Sequence, residues 1–249
     1  HYDQIVIAAR AGKHIFCEKP VDLNYEKVKI VSETVATAGI HFMLGFNRRF
    51  DPHIIQLKKA INNGEAGVPR IVKITSRDPQ PPPIDFIKNS GGLFFDMSIH
   101  DFDMARYLVD DEVVLVTANG KVFGDLDMEK YDDIDTAVIT LIFKKGCMVQ
   151  IDNSRYCSYG YDQRIEVFGE KGIVATKNVL ENRLLKVNEL GHHSARAKYF
   201  FIERYSDSYR NELIDFVDTL QNKKSPSISA EDGLVSLAIA MAAKKSMKE

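Results

Sequence analysis

Asp96, His100 and Asp103 stand four and then three residues apart, a spacing that puts side chains on one side of an α-helix. A carboxylate one turn from an imidazole can hydrogen-bond it, fix its tautomer and raise its basicity. A general base that removes a hydroxyl proton near neutral pH needs those properties. The same spacing also fits an ordinary Asp–His pair on a solvated helix face. Carboxylates and imidazole suit several divalent cations as well, but no clear further ligand accompanies these three, so no metal is expected. Glu18-Lys19-Pro20 is the second group. Pro20 fixes its own φ and biases Lys19 towards an extended backbone, which aims the ammonium in a defined direction. A cation so aimed can bind a substrate oxygen and favour its developing negative charge. Taken alone, Lys19 reads as a solvated lysine at a strand end.

The surrounding patterns say what must position these residues. Gly91-Gly92 precedes a helix predicted over 94–108, with Ile99, Phe102 and Leu108 as its packing positions. Lys19 follows the short apolar run Ile15-Phe16-Cys17, at the carboxyl end of a predicted parallel strand, the edge where open α/β sheets bind ligands. Helical patterns at 3–11 and from Asn24 to Gly39, alternating with strands at 14–17 and 42–46, predict half of a parallel α/β sheet. A helix opens at Asp51-Pro52 and a strand runs from Arg70 to Ser76. The proline-rich run at 78–83 is predicted to be an exposed loop. Beyond it, hairpins at Lys144-Lys145-Gly146 and 169–172, a strand near 184–187 and two closing helices predict an α+β unit with an antiparallel sheet.

Composition bounds the function. The chain has 249 residues with 33 Lys+Arg against 35 Asp+Glu, a net charge of −2. That balance disfavours a phosphate-backbone binder, so no nucleic-acid partner is expected. No apolar stretch approaches the ~18–20 residues that span a bilayer. The odd set Cys17, Cys147 and Cys157 predicts reduced thiols and a cytoplasmic setting. His192-His193 reads as solvated surface, because no nearby Cys or Glu completes a metal site.

The two groups together resemble one family. Gly12-Lys13-His14-Ile15-Phe16-Cys17-Glu18-Lys19-Pro20 resembles the "GKHVxxEKP" signature of the glucose–fructose oxidoreductase/inositol dehydrogenase (Gfo/Idh/MocA) family. The run from Gly91 to Asp103 resembles its "GGxxxDxxxHxxD" helix. Gly45-Phe46-Asn47-Arg48-Arg49-Phe50-Asp51 resembles the segment entering its second domain. The wording of the last two is similar to the myo-inositol 2-dehydrogenase branch. The resemblance implies a polyol or sugar oxidised by hydride transfer to NAD, with NADP left open. Lys19 would contact nicotinamide and hydroxyl, with Glu18 beside it on the cofactor side. His100 would take the hydroxyl proton and Asp96 would orient or relay to it. Asn47, Arg48 and Asp103 would line the polyol pocket, and Tyr159 and Tyr161 could reach the ligand from the sheet, although aromatic residues also favour strands simply to pack.

On this pattern, residues 1–46 are the remnant of a Rossmann domain. Residues 47–249 form an α+β substrate and oligomerisation domain with a large, mostly antiparallel, open-faced sheet, and the last helix is expected to pack back on the first domain. No Gly-x-Gly-x-x-Gly turn for the pyrophosphate occurs in the chain, so His1 reads as a cut through a cofactor domain. The alternative is a non-catalytic binding or assembly module without cofactor. The strand Thr136-Ala137-Val138-Ile139-Thr140-Leu141-Ile142-Phe143 carries apolar residues on both faces, which suggests cover by a partner subunit in a homo-oligomer, a dimer or tetramer.

Overall fold

In the computed structural model, which describes residues 1–124 and 126–249, the first elements follow the apolar periodicity closely. Helix α1 (Tyr2–Arg10) buries Ile5, Val6 and Ala9. Strand β1 (Ile15–Glu18) leads to α2 (Tyr25–Ala38), whose cap Asn24 accepts the Lys27 N–H and whose end is the left-handed Gly39. Strand β2 (Phe42–Gly45) then pairs with β1 in parallel, setting Glu18 opposite Gly45. That glycine has a steric reason. A Cβ there would come within 3.0 Å of the Glu18 carboxyl carbon, so any larger residue would push the Glu18 carboxylate from its place across the strand ends.

A short 3-10 turn, Asn47–Phe50, carries the chain into α3 (Pro52–Asn62). Asp51 caps α3 by accepting from the His53 and Ile54 N–H groups. The second unit continues with β3 (Pro69–Arg77), α4 (Ile84–Ser90), α5 (Leu93–Asp96), α6 (Ser98–Val109) and β4 (Val113–Lys121). Strands β5 (Thr136–Phe143), β6 (Met148–Ser154), β7 (Asp162–Gly169), β8 (Gly172–Thr176), β9 (Leu185–Asn188) and β10 (Gly191–Ser194) follow. Helices α7 (Phe201–Arg204), α8 (Ser206–Asn222) and α9 (Ala230–Lys248) close the chain.

The main sheet runs β4-β5-β6-β3-β7-β8. The mostly antiparallel sheet expected from hairpins is corrected to a mixed one, because β3 inserts between β6 and β7 and runs parallel to β6. Hairpins supply β5–β6 and β7–β8; no local turn signal can report a strand that arrives from far back in the chain. The strand near 184–187 pairs with β10 in a separate two-stranded sheet that carries exposed His192 and His193. Strand β4 escapes the alternation test because it is an exposed edge with an irregularity between Val113 and Leu115.

One face of the sheet packs on α3, α6 and α9, around Val72, Ile74, Ile139, Leu141, Val149, Ile151 and Val167. Helix α9 opens with a capping box between Ser229 and Asp232. It touches α2 and β2 on one side and α6 and β4 on the other. Cys17, Cys147 and Cys157 are free and buried. Among the described residues no helix is long and apolar enough to cross a membrane.

The helix predicted over 94–108 is two helices. Met97 takes φ −96° and ψ −59° between α5 and α6. The bonding there tightens from Met97 N–H donating to Leu93 O to His100 N–H donating to Met97 O. Asp96 and His100 therefore sit on different pieces.

Candidate active site

The carboxyl ends of β1 and β2, the start of α6 and the loop after β3 enclose a cavity of about 650 Å³. Lys19, Arg48, Asp78, Asp96, His100 and Tyr161 make its polar floor. Pro81, Pro82, Pro83, Phe86, Phe200 and Phe201 make an apolar rim. The proline run is therefore a wall of the site as well as a loop.

Lys19 reaches the floor from the end of β1, and its bond to Pro20 is cis. Its ammonium donates to the backbone oxygen of Asp96 at 2.6 Å and to Oδ1 at 3.2 Å. An ammonium has three N–H donors, so one remains for an oxygen in the cavity. Glu18 lines the same cavity. Its carboxyl is raised above the usual range by burial, opposed by the Lys19 charge.

His100 is the third residue of α6, in its first turn, with Phe46 edge-on at 6.1 Å. Its pKa lies well below the usual 6.5, first through burial and then through repulsion by Lys19 and Arg48. The imidazole is therefore neutral near pH 7 and able to accept a proton. The expected Asp96–His100 hydrogen bond is corrected. Asp96 gives its carboxylate to Lys19, and His100 Nδ1 is buried without a hydrogen-bond partner. The break at Met97 explains this, since a four-residue step no longer equals one helical turn.

Asn47 and Arg48 both border the cavity. Arg48 is anchored from behind, donating to Asp101 Oδ1 at 2.5 Å and to Ser76 Oγ at 3.2 Å. Asn47 Nδ2 is buried with no partner, an atom left for a ligand acceptor. Tyr161 lies edge-on to Tyr205, 6.0 Å between centroids. Asp78 is pushed up to about 6, chiefly by burial, against the pull of Arg48.

Two expected residues lie elsewhere. Asp103 is fully buried and takes Arg49 through two bonds, at 2.9 and 2.5 Å, while Arg49 also donates to Asp232 at 2.8 Å. Three residues leave a side chain about 60° short of a full turn, enough to point Asp103 at α9 and not into the cavity. Tyr159 is half-exposed, and its hydroxyl donates to Asp162 at 2.6 Å and accepts from Arg77 at 3.1 Å. Gly160, at φ 114°, turns the chain between the two tyrosines, so they do not share a side.

Asp78, Tyr205, Tyr209 and Asp101 carry no motif that singles them out. The available signals are an acid at a strand's carboxyl end before the prolines, and two tyrosines four apart, Tyr205 at the N-cap of α8 and Tyr209 within it. Glu212, one turn past Tyr209, is 1% exposed with Oε2 unpartnered. Burial, then the neighbouring Glu18 charge, pushes it up from its usual 4.5 to about 8. The folded form thus holds a proton that the unfolded chain releases between those values. The stability this proton contributes is full below about 4.5 and lost as pH rises through about 8. Glu212→Gln should therefore stabilise the protein at pH 9 by on the order of a few kcal/mol and barely change it at pH 4.5. Thermal melts at the two values check this, and an equal shift at both would contradict it.

Comparison with known proteins follows the same geography. Residues 1–46 match an oxidoreductase family's NAD-binding Rossmann fold, and residues 58–249 match the same family's C-terminal alpha/beta domain. The chain is 48% identical to the myo-inositol 2-dehydrogenase of Thermotoga maritima, over 100% of this chain and 75% of that protein. It is 45% identical to the inositol 2-dehydrogenase of Rhizobium meliloti, over 100% of this chain and 76% of that one. A crystal structure of a myo-inositol dehydrogenase from Corynebacterium glutamicum superposes with a TM-score of 0.95 at 40% identity, covering 100% of this chain and 74% of that one. A scyllo-inositol dehydrogenase from Lactobacillus casei, with bound NAD(H) and scyllo-inositol, superposes with a TM-score of 0.92 at 31% identity, covering 100% and 75%.

Proposed function

This chain belongs to the Gfo/Idh/MocA oxidoreductase family, and on that premise we propose that it oxidises a secondary hydroxyl of a cyclic polyol, myo-inositol to its 2-keto product, with NAD as acceptor. The carrying observation is that a neutral imidazole and a lysine with one unspent N–H share the floor of one cavity. A module without cofactor has no use for that pair, so the non-catalytic alternative is set aside.

The residues fit the reactive end of the cofactor. The site lies outside the carboxyl ends of parallel strands, where nucleotides bind in such folds. Glu18 and Lys19 project there, and Asn47 Nδ2 and His100 Nδ1 are polar atoms without partners. The Gly-x-Gly-x-x-Gly turn for the pyrophosphate is not in this sequence. Bound NAD supplies the hydride acceptor. Lys19 donates its free N–H to the reacting oxygen and favours charge on it as the O–H bond weakens. His100 takes that proton while hydride leaves the carbon that bears the oxygen, so a ketone remains and the proton rests on imidazole. Asn47, Arg48, Asp78 and Tyr161 offer donors and acceptors to the remaining hydroxyls. The experiment is NADH formation with myo-inositol, scyllo-inositol and glucose, using the protein together with any sequence that precedes His1. Turnover with none of them sinks the reading.

A homo-oligomer through the uncovered sheet face belongs to this proposal. Leu115, Ile142, Met148, Ile71, Phe168 and Ile173 sit opposite one another in register and draw one apolar row across all the strands. Leu115, Met148 and Ile173 are 56%, 45% and 58% exposed, an arrangement that suits a second copy of the same face. Met148→Asp is expected to reduce the particle mass in light scattering to that of one chain or one lower assembly. A wild-type protein with the mass of a single 28.2 kDa chain contradicts the oligomer.

A further inference from the structure

Arg155, the first residue after β6, is among the largest fully buried side chains of the protein. Its guanidinium donates to Asp133 Oδ2 at 2.6 Å. Its other amino nitrogen has no hydrogen-bond partner and lies 3.9 Å from Asp96 Oδ2, on the side of Asp96 away from the oxygen that takes Lys19. Buried guanidinium nitrogens are costly to leave unbonded. An apolar side chain of similar volume generally stabilises a fold at least as well as a buried ion pair, so packing alone does not account for an arginine here.

Asp133 is the anchor. Its Oδ1 accepts the Leu93 N–H at 2.7 Å and the Ile134 N–H at 2.8 Å. It lies against Gly92, where a Cβ would come within 2.8 Å of that oxygen. The same carboxylate therefore grips the start of α5, which ends in Asp96, and the guanidinium behind Asp96. Charges alternate along one line: Lys19, Asp96, Arg155, Asp133.

We propose that Arg155 is a positioning residue: anchored on Asp133, it fixes the Asp96 carboxylate that holds the Lys19 ammonium against the reacting oxygen. This rests on the role proposed for Lys19. Misplacing Lys19 weakens an interaction that grows in the transition state, so turnover falls more than substrate binding. Lys19 is also one of the charges that depress His100, which gives a readout independent of substrate.

The test compares Arg155→Met/Asp133→Asn, which removes both buried charges but leaves an acceptor for the Leu93 N–H, with Arg155→Lys. In the double variant kcat is expected to fall about 100-fold, the scale of a misplacement of about 1 Å. KM should change less than about 3-fold, and the His100 NMR titration midpoint should rise. Arg155→Lys should recover most of kcat. A folded double variant with wild-type kcat and an unmoved His100 midpoint overturns the proposal. So does a loss that Arg155→Lys fails to relieve while His100 stays put, because that is a purely structural effect. Where the double variant does not fold, Asp133→Asn alone carries the test: lowered kcat and a raised midpoint support the proposal, and unchanged values overturn it. The His100 midpoint can be read even if no polyol is turned over, so failure of the reaction and failure of this role remain distinguishable.

Discussion

His100→Ala is expected to lower kcat for polyol oxidation roughly 10²–10⁴-fold, the range for losing a positioned general base, while the fold persists. The imidazole is half-buried beside Phe46, and its Nδ1 has no hydrogen-bond partner, so truncation leaves no orphaned partner on that side. Burial and the flanking cations keep it neutral well below pH 6.5. The wild-type rate should therefore show no loss of this base near the ordinary histidine value. In the variant the remaining rate should rise with pH, because solvent hydroxide must then take the proton. Steady-state kinetics across pH decides it. A variant with near wild-type kcat removes His100 from the chemistry, whatever the substrate.

Lys19→Met carries the second large effect. Losing one donor aimed at developing negative charge typically costs 10²–10³-fold in turnover, and about 100-fold or more is expected here. The substitution keeps the length of the side chain and removes its charge. Asp96 then loses the ammonium held at 2.6 and 3.2 Å. His100 loses one of the two cations that repel its protonation, so its titration midpoint should move up towards the ordinary range. Rate and midpoint should change together. A large loss of rate with an unmoved midpoint would mean that Lys19 acts away from His100, against the assignment of both to one floor.

What was legible followed from local physics. The α1–β1–α2–β2 order, the Asp51-Pro52 helix start and the Lys144–Gly146 turn each rest on a cap, a period or a turn residue within a few positions. The insertion of β3 beside β6 rests on contacts between distant segments, and the break at Met97 falls inside an apolar pattern that a single helix satisfies equally well. The site divides the same way. Lys19, Asn47, Arg48, His100 and Tyr161 meet at one cavity, whereas helical spacing alone could not tell that Asp101 would anchor Arg48 and Asp103 would face α9. Buried partners such as Arg155, Asp133 and Glu212 have no pattern of their own, because their meaning comes from what tertiary folding places around them.

The bond set of Arg49 has a consequence for how the parts can be rearranged. Arg49 holds Asp103 of α6 and Asp232 at the head of α9 at once, and α9 touches both β2 and β4. Lys19 directly follows β1 of the parallel β1–β2 pair and His100 lies on α6, so the spacing of the reacting pair is set by a buckle made from the chain's closing helix. The two units are consequently poor cassettes for exchange between relatives. A substrate unit grafted without its own α9 would carry every floor residue of its pocket yet lack the clamp that registers them against Lys19.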